Sequence, residues 1–449
     1  MTTPKKLGLL SLTSLVTGNM IGSGVFILPA DLARVGSVSL LSWIFTALGA
    51  FLLAMAFSRM SHMVTKTGGP YVYAEKGLGR FMGFQIASLY WVYTGVGNIA
   101  ITVALIGYLR VFFPVLANPV LGMTVATAII AFLVMVNLAG ITRAGMLQLL
   151  TTIFKLIPLI AVAIFGWKYF HLDYITNSFN VTGNSDMSAF SHAATLTLWA
   201  FMGVESAAVP ADSVDNPGRN IPLATLFGTL ISATLYIACS TVIMGIIPIN
   251  ELANSTSPFA AAAKIIFGRW GELIVAAGAV ISCFGCLNGW ILIQSQIAMA
   301  IASDGFFPKI LAKRNKFNVP GWGLIVTFVL LCSMLWLTMD ANLVSQFQLA
   351  ILIASTACLF DYFNMGICEL ILLIRYDGLQ SRSSKIHAAI GLLASGYSVW
   401  AFCGAGKELV FYVMILFMGC TLYYGLNMII NRQTIAKDIA KDLSYLKLS

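Results

Sequence analysis

The chain of 449 residues is 59% hydrophobic and only 10% charged, with a mean hydropathy of +0.88. That much apolar surface excludes a soluble globular protein and points to an all-α integral membrane protein. The formal net charge of +9 would suit a nucleic-acid partner, but the charges fall between apolar runs in a pattern that sets membrane orientation instead.

Crossing the hydrocarbon core takes about 20 apolar residues. Twelve runs qualify, at roughly 8–33, 38–60, 82–113, 119–139, 147–167, 191–211, 223–247, 271–302, 321–339, 345–374, 385–404 and 409–431. The first is too long for a cleavable signal peptide and lacks a small-residue cleavage site. With the N-terminus inside the cell, most of the 26 Lys and Arg lie in inner segments, among them Lys5, Lys6, Arg59, Lys66, Lys76, Arg80, Lys309, Lys313, Arg314 and Lys316. This positive-inside bias predicts cytoplasmic termini. Lys155 lies inside a span.

A single domain, 1–449, is expected. Repeat one covers about 8–167 and repeat two about 191–374, and each opens with an interrupted span. An odd number of spans per unit makes the second inverted relative to the first. Two extra spans follow at about 385–431. The tail at 432–449 alternates charge on a helical period and is expected along the membrane surface. All eight cysteines fall within spans and read as buried thiols, since the Cys283-x-x-Cys286 pair has no second pair or histidine cluster nearby.

The first interruption is Gly18-Asn19-Met20-Ile21-Gly22-Ser23-Gly24. Its glycines favour exposed backbone N–H groups at the start of a second half-helix, an anion site suited to a carboxylate. Packing of small residues against a neighbouring helix is the alternative. The second interruption is Trp199-Ala200-Phe201-Met202-Gly203-Val204-Glu205-Ser206. Paired breaks of this kind are the sequence pointer to a transporter's substrate site. An acid at mid-membrane costs about 2.5–3.5 kcal/mol on the insertion scale, so Glu205 faces a cavity or a partner. It is a candidate proton carrier, or else a structural carboxylate capping the broken helix or bonding Asn98. Trp199 and Trp290 are candidate lids, with Tyr90 and Tyr362 as weaker gate candidates. Lys155 sits at the centre of an apolar helix, where a functional or ion-paired role is the default. Asp361 and Glu369 lie eight residues apart in the tenth run, roughly 80° apart around a helix, and could share one broad face.

At these residues the chain resembles the amino acid–polyamine–organocation superfamily over essentially its full length. Gly18 to Phe26 is similar to that family's first-span signature. Trp199 to Ala207, with Asp215-Asn216-Pro217-Gly218-Arg219-Asn220-Ile221-Pro222 beyond, resembles its sixth-span signature. Within it, the chain looks closest to the basic amino acid/polyamine antiporters. Glu251 to Phe259 is similar to the putrescine–ornithine type, and the spacing of Tyr90, Trp91 and Asn98 to the arginine–agmatine type.

The resemblance implies a leucine-transporter-type fold of twelve spans with inverted five-span repeats. It implies a substrate site at Met20, Ser23, Gly24, Tyr93, Thr94, Asn98, Trp199, Met202, Glu205 and Trp290. Ser23 and Gly24 would take the substrate carboxylate. Tyr90, Trp199, Trp290 and Tyr362 would act as gates, and Glu205 and Lys155 would couple protons. Lys155 and Asp361 depart from the arginine–agmatine type. The expected activity is antiport of arginine, ornithine or lysine for agmatine, putrescine or cadaverine across the cell inner membrane; a proton-coupled permease for neutral amino acids is the rival. No enzyme activity, cofactor, metal or nucleic acid is expected. The partners are the small-molecule substrate and the lipid bilayer, and a homodimer is left open.

Overall fold

Backbone N–H and C=O groups in hydrocarbon have no water to bond, so a chain this apolar satisfies them within its own helices. The computed structural model describes residues 6–255, 257–337 and 343–430. In chain order the helices are α1 (Leu9–Met20), α2 (Gly24–Ala33), α3 (Val38–Met63), α4 (Pro70–Leu78), α5 (Arg80–Phe112), α6 (Pro119–Leu138), α7 (Ile141–Phe165), α8 (Asp173–Thr176), α9 (Asp186–Leu198), α10 (Pro217–Ile246), α11 (Ile249–Leu252), α12 (Pro258–Ser303), α13 (Gly321–Leu337), α14 (Leu343–Asp377), α15 (Arg382–Gly404) and α16 (Lys407–Ile430). Among the described residues, extended pairing is limited to one bridge, in which Leu7 bonds Ser213 and Asp215 beyond the second interruption.

Among the described residues, ten segments are long and apolar enough to cross a membrane, with α1 and α2 counted together. Two of the twelve expected runs differ. The run at 321–339 is a shorter apolar helix, α13, and residues 338–339 lie outside the described residues. The run at 191–211 is α-helical only as far as Leu198 and continues as turns. Glycine and the loss of helical ψ at Met202 stop it there, as described below. The tail expected on the membrane surface also lies outside the described residues.

The broken elements sit at the centre of the bundle. α1 packs against α10, α7 and α12; α12 packs against α7 and α5; α14 packs against α5 and α15; α3 packs against α10 and α9. The inner faces are lined by small and apolar side chains such as Leu12, Val16, Ala54, Ala279 and Ile293. The outer faces carry large apolar groups, among them Phe154, Ile157, Trp270 and Leu422. Lipid tails are as apolar as these side chains, so their exposure carries no penalty in a bilayer.

Candidate functional site

The first interruption frees carbonyls that a continuous helix would pair, and each finds a donor. α1 ends at Met20, Ile21 to Ser23 bend, and α2 starts at Gly24. The buried Lys155 ammonium donates to the carbonyls of Gly18 (2.7 Å) and Ile21 (2.5 Å). The Ser282 hydroxyl donates to those of Ile21 (2.9 Å) and Gly22 (3.1 Å). The carbonyl of Asn19 accepts from the Cys286 thiol (3.2 Å) and the Trp290 indole N–H (3.3 Å). The donor side is different. The N–H groups of Ser23, Gly24 and Val25 donate to no backbone carbonyl, and the Ser23 hydroxyl has no hydrogen-bond partner. A helix start with free donors is an anion-receiving end.

The second interruption begins with a 3-10 turn at Trp199–Phe201. Met202 then turns extended, at φ −61° and ψ 134°. Gly203 follows at φ 107°, a backbone conformation that costs a side-chain-bearing residue strain. The freed carbonyl of Ala200 accepts from the Tyr236 hydroxyl at 2.9 Å. The two breaks are joined directly, since the Asn19 amide donates to the Ser206 hydroxyl at 2.9 Å.

Between the breaks lies a small cavity of about 20 Å³. It is lined by Met20, Ser23, Gly24, Tyr93, Thr94, Trp199, Met202 and Trp290, which are eight of the ten substrate-site residues expected from sequence. The Trp199 indole of the second break reaches the first, and the Trp290 indole of α12 lies against both. A Cβ on Gly24 would lie 2.8 Å from Trp199 Cδ1, and one on Gly97 would lie 3.3 Å from Trp199 Cη2. A Cβ on Gly203 would lie 3.3 Å from Trp290 Cζ2. The glycines thus set how closely both rings approach the backbone.

The remaining two expected residues lie off this cavity. Asn98 donates to the Gln294 side chain at 2.9 Å, so it is not the partner of Glu205 that the sequence left open. Glu205 is fully buried and accepts from the Tyr90 hydroxyl at 3.0 Å and the Tyr362 hydroxyl at 2.8 Å. Three expected site residues therefore form one polar cluster beside the cavity. The Tyr90 ring packs edge-on to Tyr93, which lines the cavity, with centroids 5.1 Å apart. Asp361 and Glu369 do not share a face: Asp361 interacts with Tyr93 and Glu205, whereas Glu369 lies 3.4 Å from His387 on α15. The roughly 80° between them is enough to send them to different neighbours.

Sequence reasoning missed Ser282, Gln294 and the roles of Asn19, Ser206 and Cys286. Small polar residues inside apolar helices carry no distinctive spacing, and their function here is to satisfy backbone that only a three-dimensional break exposes.

A second polar cluster joins α4 and the start of α5 to the end of α12. Lys66 reaches both carboxylate oxygens of Asp304 at 2.9 Å, the Tyr71 hydroxyl donates to Asp304 at 2.5 Å, and Arg80 donates to the Asp304 carbonyl at 3.2 Å. Burial, then the neighbouring Glu75 and Asp304 carboxylates, push the Tyr71 phenol far above its ordinary range, so it remains a donor. Burial and then Asp304 also push the Glu75 carboxyl upward, opposed by Lys66, Lys76 and Arg80.

The family described as amino acid permease matches residues 7–426. The chain is 33% identical to the putrescine transporter PotE of Haemophilus influenzae over 420 residues, covering 93% of this chain and 96% of that one. It is 32% identical to the putrescine transporter PotE of Escherichia coli over 419 residues, at 93% and 95% coverage. It is 36% identical to the cadaverine/lysine antiporter of Escherichia coli over 329 residues, 73% of this chain and 74% of that one.

Proposed function

Because the chain belongs to the amino acid permease family, we propose that it exchanges a cationic amino acid for its decarboxylated amine by alternating access. The observation that carries this reading is the convergence of two helix breaks on one cavity, with donors left free on one side. The named activities of the relatives, putrescine transport and cadaverine/lysine antiport, supply the cargo class.

The free N–H groups of Ser23, Gly24 and Val25, with the Ser23 hydroxyl, take the carboxylate of the amino acid. Trp199 of the second break and Trp290 of α12 cover it, where an ammonium also gains cation–π attraction. Their swing, followed by that of Tyr90 and Tyr362, opens the cavity to one side at a time. Glu205 senses protons through the same two phenols. Lys155 occupies the position a bound cation would take among the carbonyls of the first break.

Counting α9 with the turns after it, and α13, the chain crosses the inner membrane twelve times. The packing of α3 against α10, the second element of each unit, supports inverted repeats. The Lys and Arg bias puts both termini, and the Asp304 closure, on the cytoplasmic side. No cofactor enters this scheme.

Proteoliposomes test it. Labelled lysine or ornithine accumulates in vesicles preloaded with cadaverine or putrescine and scarcely in empty ones. Equal uptake into empty vesicles under an imposed proton gradient would instead favour a proton-coupled permease, a reading that Lys155 at the break independently supports.

A further inference from the structure

Four acidic side chains are buried among the described residues: Asp31, Glu205, Asp361 and Glu369. Three face an evident counterpart. Asp31 lies 3.6 Å from Arg34, Glu369 lies 3.4 Å from His387, and Glu205 holds two phenols. Asp361 has no cation beside it, only Tyr93 and Glu205. It is fully buried, and neither of its oxygens has a hydrogen bond of normal geometry. A bare carboxylate in that condition is among the most costly groups a membrane protein can hold, so it is neutralised by a proton or by a cation.

Tyr93 lines the cavity, and its own hydroxyl is buried without a hydrogen-bond partner. Tyr93, Glu205, Tyr90 and Cys358 interact with Asp361, as does Cys420 of α16. Two unsatisfied polar groups, a phenol and a carboxyl, thus face each other at the edge of the cavity. A small rotation of Tyr93 puts the carboxyl in reach of a ligand and lets the phenol bond it as well.

The geometry points to Asp361 as the specificity residue for the distal ammonium of the cargo, reached past Tyr93. This rests on the proposed exchange of cationic amino acids and amines, and it goes further by dividing the labour. The free N–H groups at Ser23 and Gly24 hold the end that carries, or has lost, the carboxylate. Asp361 receives the far amine through a charge-assisted hydrogen bond. Glu205, whose oxygens already hold two donors, is not that receptor.

The test compares cadaverine with pentylamine, which lacks only the second amine, as competitors of labelled lysine exchange in proteoliposomes. Wild type prefers cadaverine. Asp361→Asn cuts that preference at least tenfold and leaves inhibition by pentylamine unchanged, while Asp361→Glu retains the preference. A merely structural role would weaken both competitors alike, and that result overturns the assignment. So does a preference that survives in Asp361→Asn, or one that collapses only in Glu205→Gln. Asp361→Asn breaks no hydrogen bond and stays monodisperse in detergent; if it aggregates while Asp361→Glu folds, Asp361 is structural and the inference fails. A wild type that exchanges lysine but no diamine removes the proposed exchange itself, and this assignment with it.

Discussion

Glu205 shows how a single residue is made usable by its neighbours. A carboxyl buried at mid-membrane is kept in place by the Tyr90 and Tyr362 hydroxyls, donated from α5 and α14. Hydrogen bonds to a charged group are worth about 1.5–3 kcal/mol each, so the pair is a strong constraint on where that charge sits. Glu205→Gln is expected to flatten the pH dependence of exchange while the protein remains folded in detergent; an unchanged profile would leave Glu205 a structural group. Tyr362→Phe removes one of the two donors and is expected to slow exchange by roughly tenfold or more at a fixed pH, measured as the initial rate in preloaded vesicles. The acid itself was legible in the sequence, because a carboxylate inside an apolar run is costly unless it faces a cavity or a partner. Its partners were not. Tyrosine is frequent in this chain, and nothing in one-dimensional spacing says which phenol crosses from another helix.

At the scale of the element, the broken first span depends on three other helices. Lys155 from α7, and Ser282, Cys286 and Trp290 from α12, satisfy its freed carbonyls, while α10 packs along α1. Removing the Lys155 side chain would leave the carbonyls of Gly18 and, in part, Ile21 unpaired, at about 1–3 kcal/mol each. Lys155→Ala is therefore expected to be strongly impaired in exchange yet still recoverable as a monodisperse protein. Wild-type transport is expected to be indifferent to replacing sodium with choline, because the ammonium fills the place of an ion. Sodium-stimulated uptake, or a fully active Lys155→Ala, would contradict this. The first break was readable as a glycine-rich interruption of an apolar run, the second as Gly203 and Glu205 inside another. The extent of the second was not: it begins at the 3-10 turn of Trp199–Phe201, ahead of Gly203, and its turns run on to Pro210.

For the whole molecule, alternating access requires one end to be closed when the other opens. In the proposed cycle the contacts of Lys66, Tyr71 and Arg80 with Asp304 are the lock that shuts the α4 end. Lys66 is half exposed and Asp304 partly so, so the pair is worth no more than a modest ion pair, which suits a contact that must open in every cycle. Asp304→Asn is expected to speed alkylation of Cys286, a native thiol lining the cavity, by a membrane-impermeant reagent applied from the cytoplasmic side, with Cys286→Ser as the control for other thiols. An unchanged rate would mean that closure lies elsewhere. Ten of the twelve expected runs could be read from hydropathy because every crossing needs about 20 apolar residues. The lock could not, since its members are ordinary loop charges brought together only by packing. The central claim is that cargo sits between the two breaks, against Gly24 and beneath Trp199. It is tested most directly by equilibrium binding of labelled lysine to purified Gly24→Leu, whose side chain enters the space where even a Cβ would lie 2.8 Å from the Trp199 ring. A folded Gly24→Leu protein with no saturable binding, beside a wild type that binds, is the result predicted here; undiminished affinity in Gly24→Leu would contradict it.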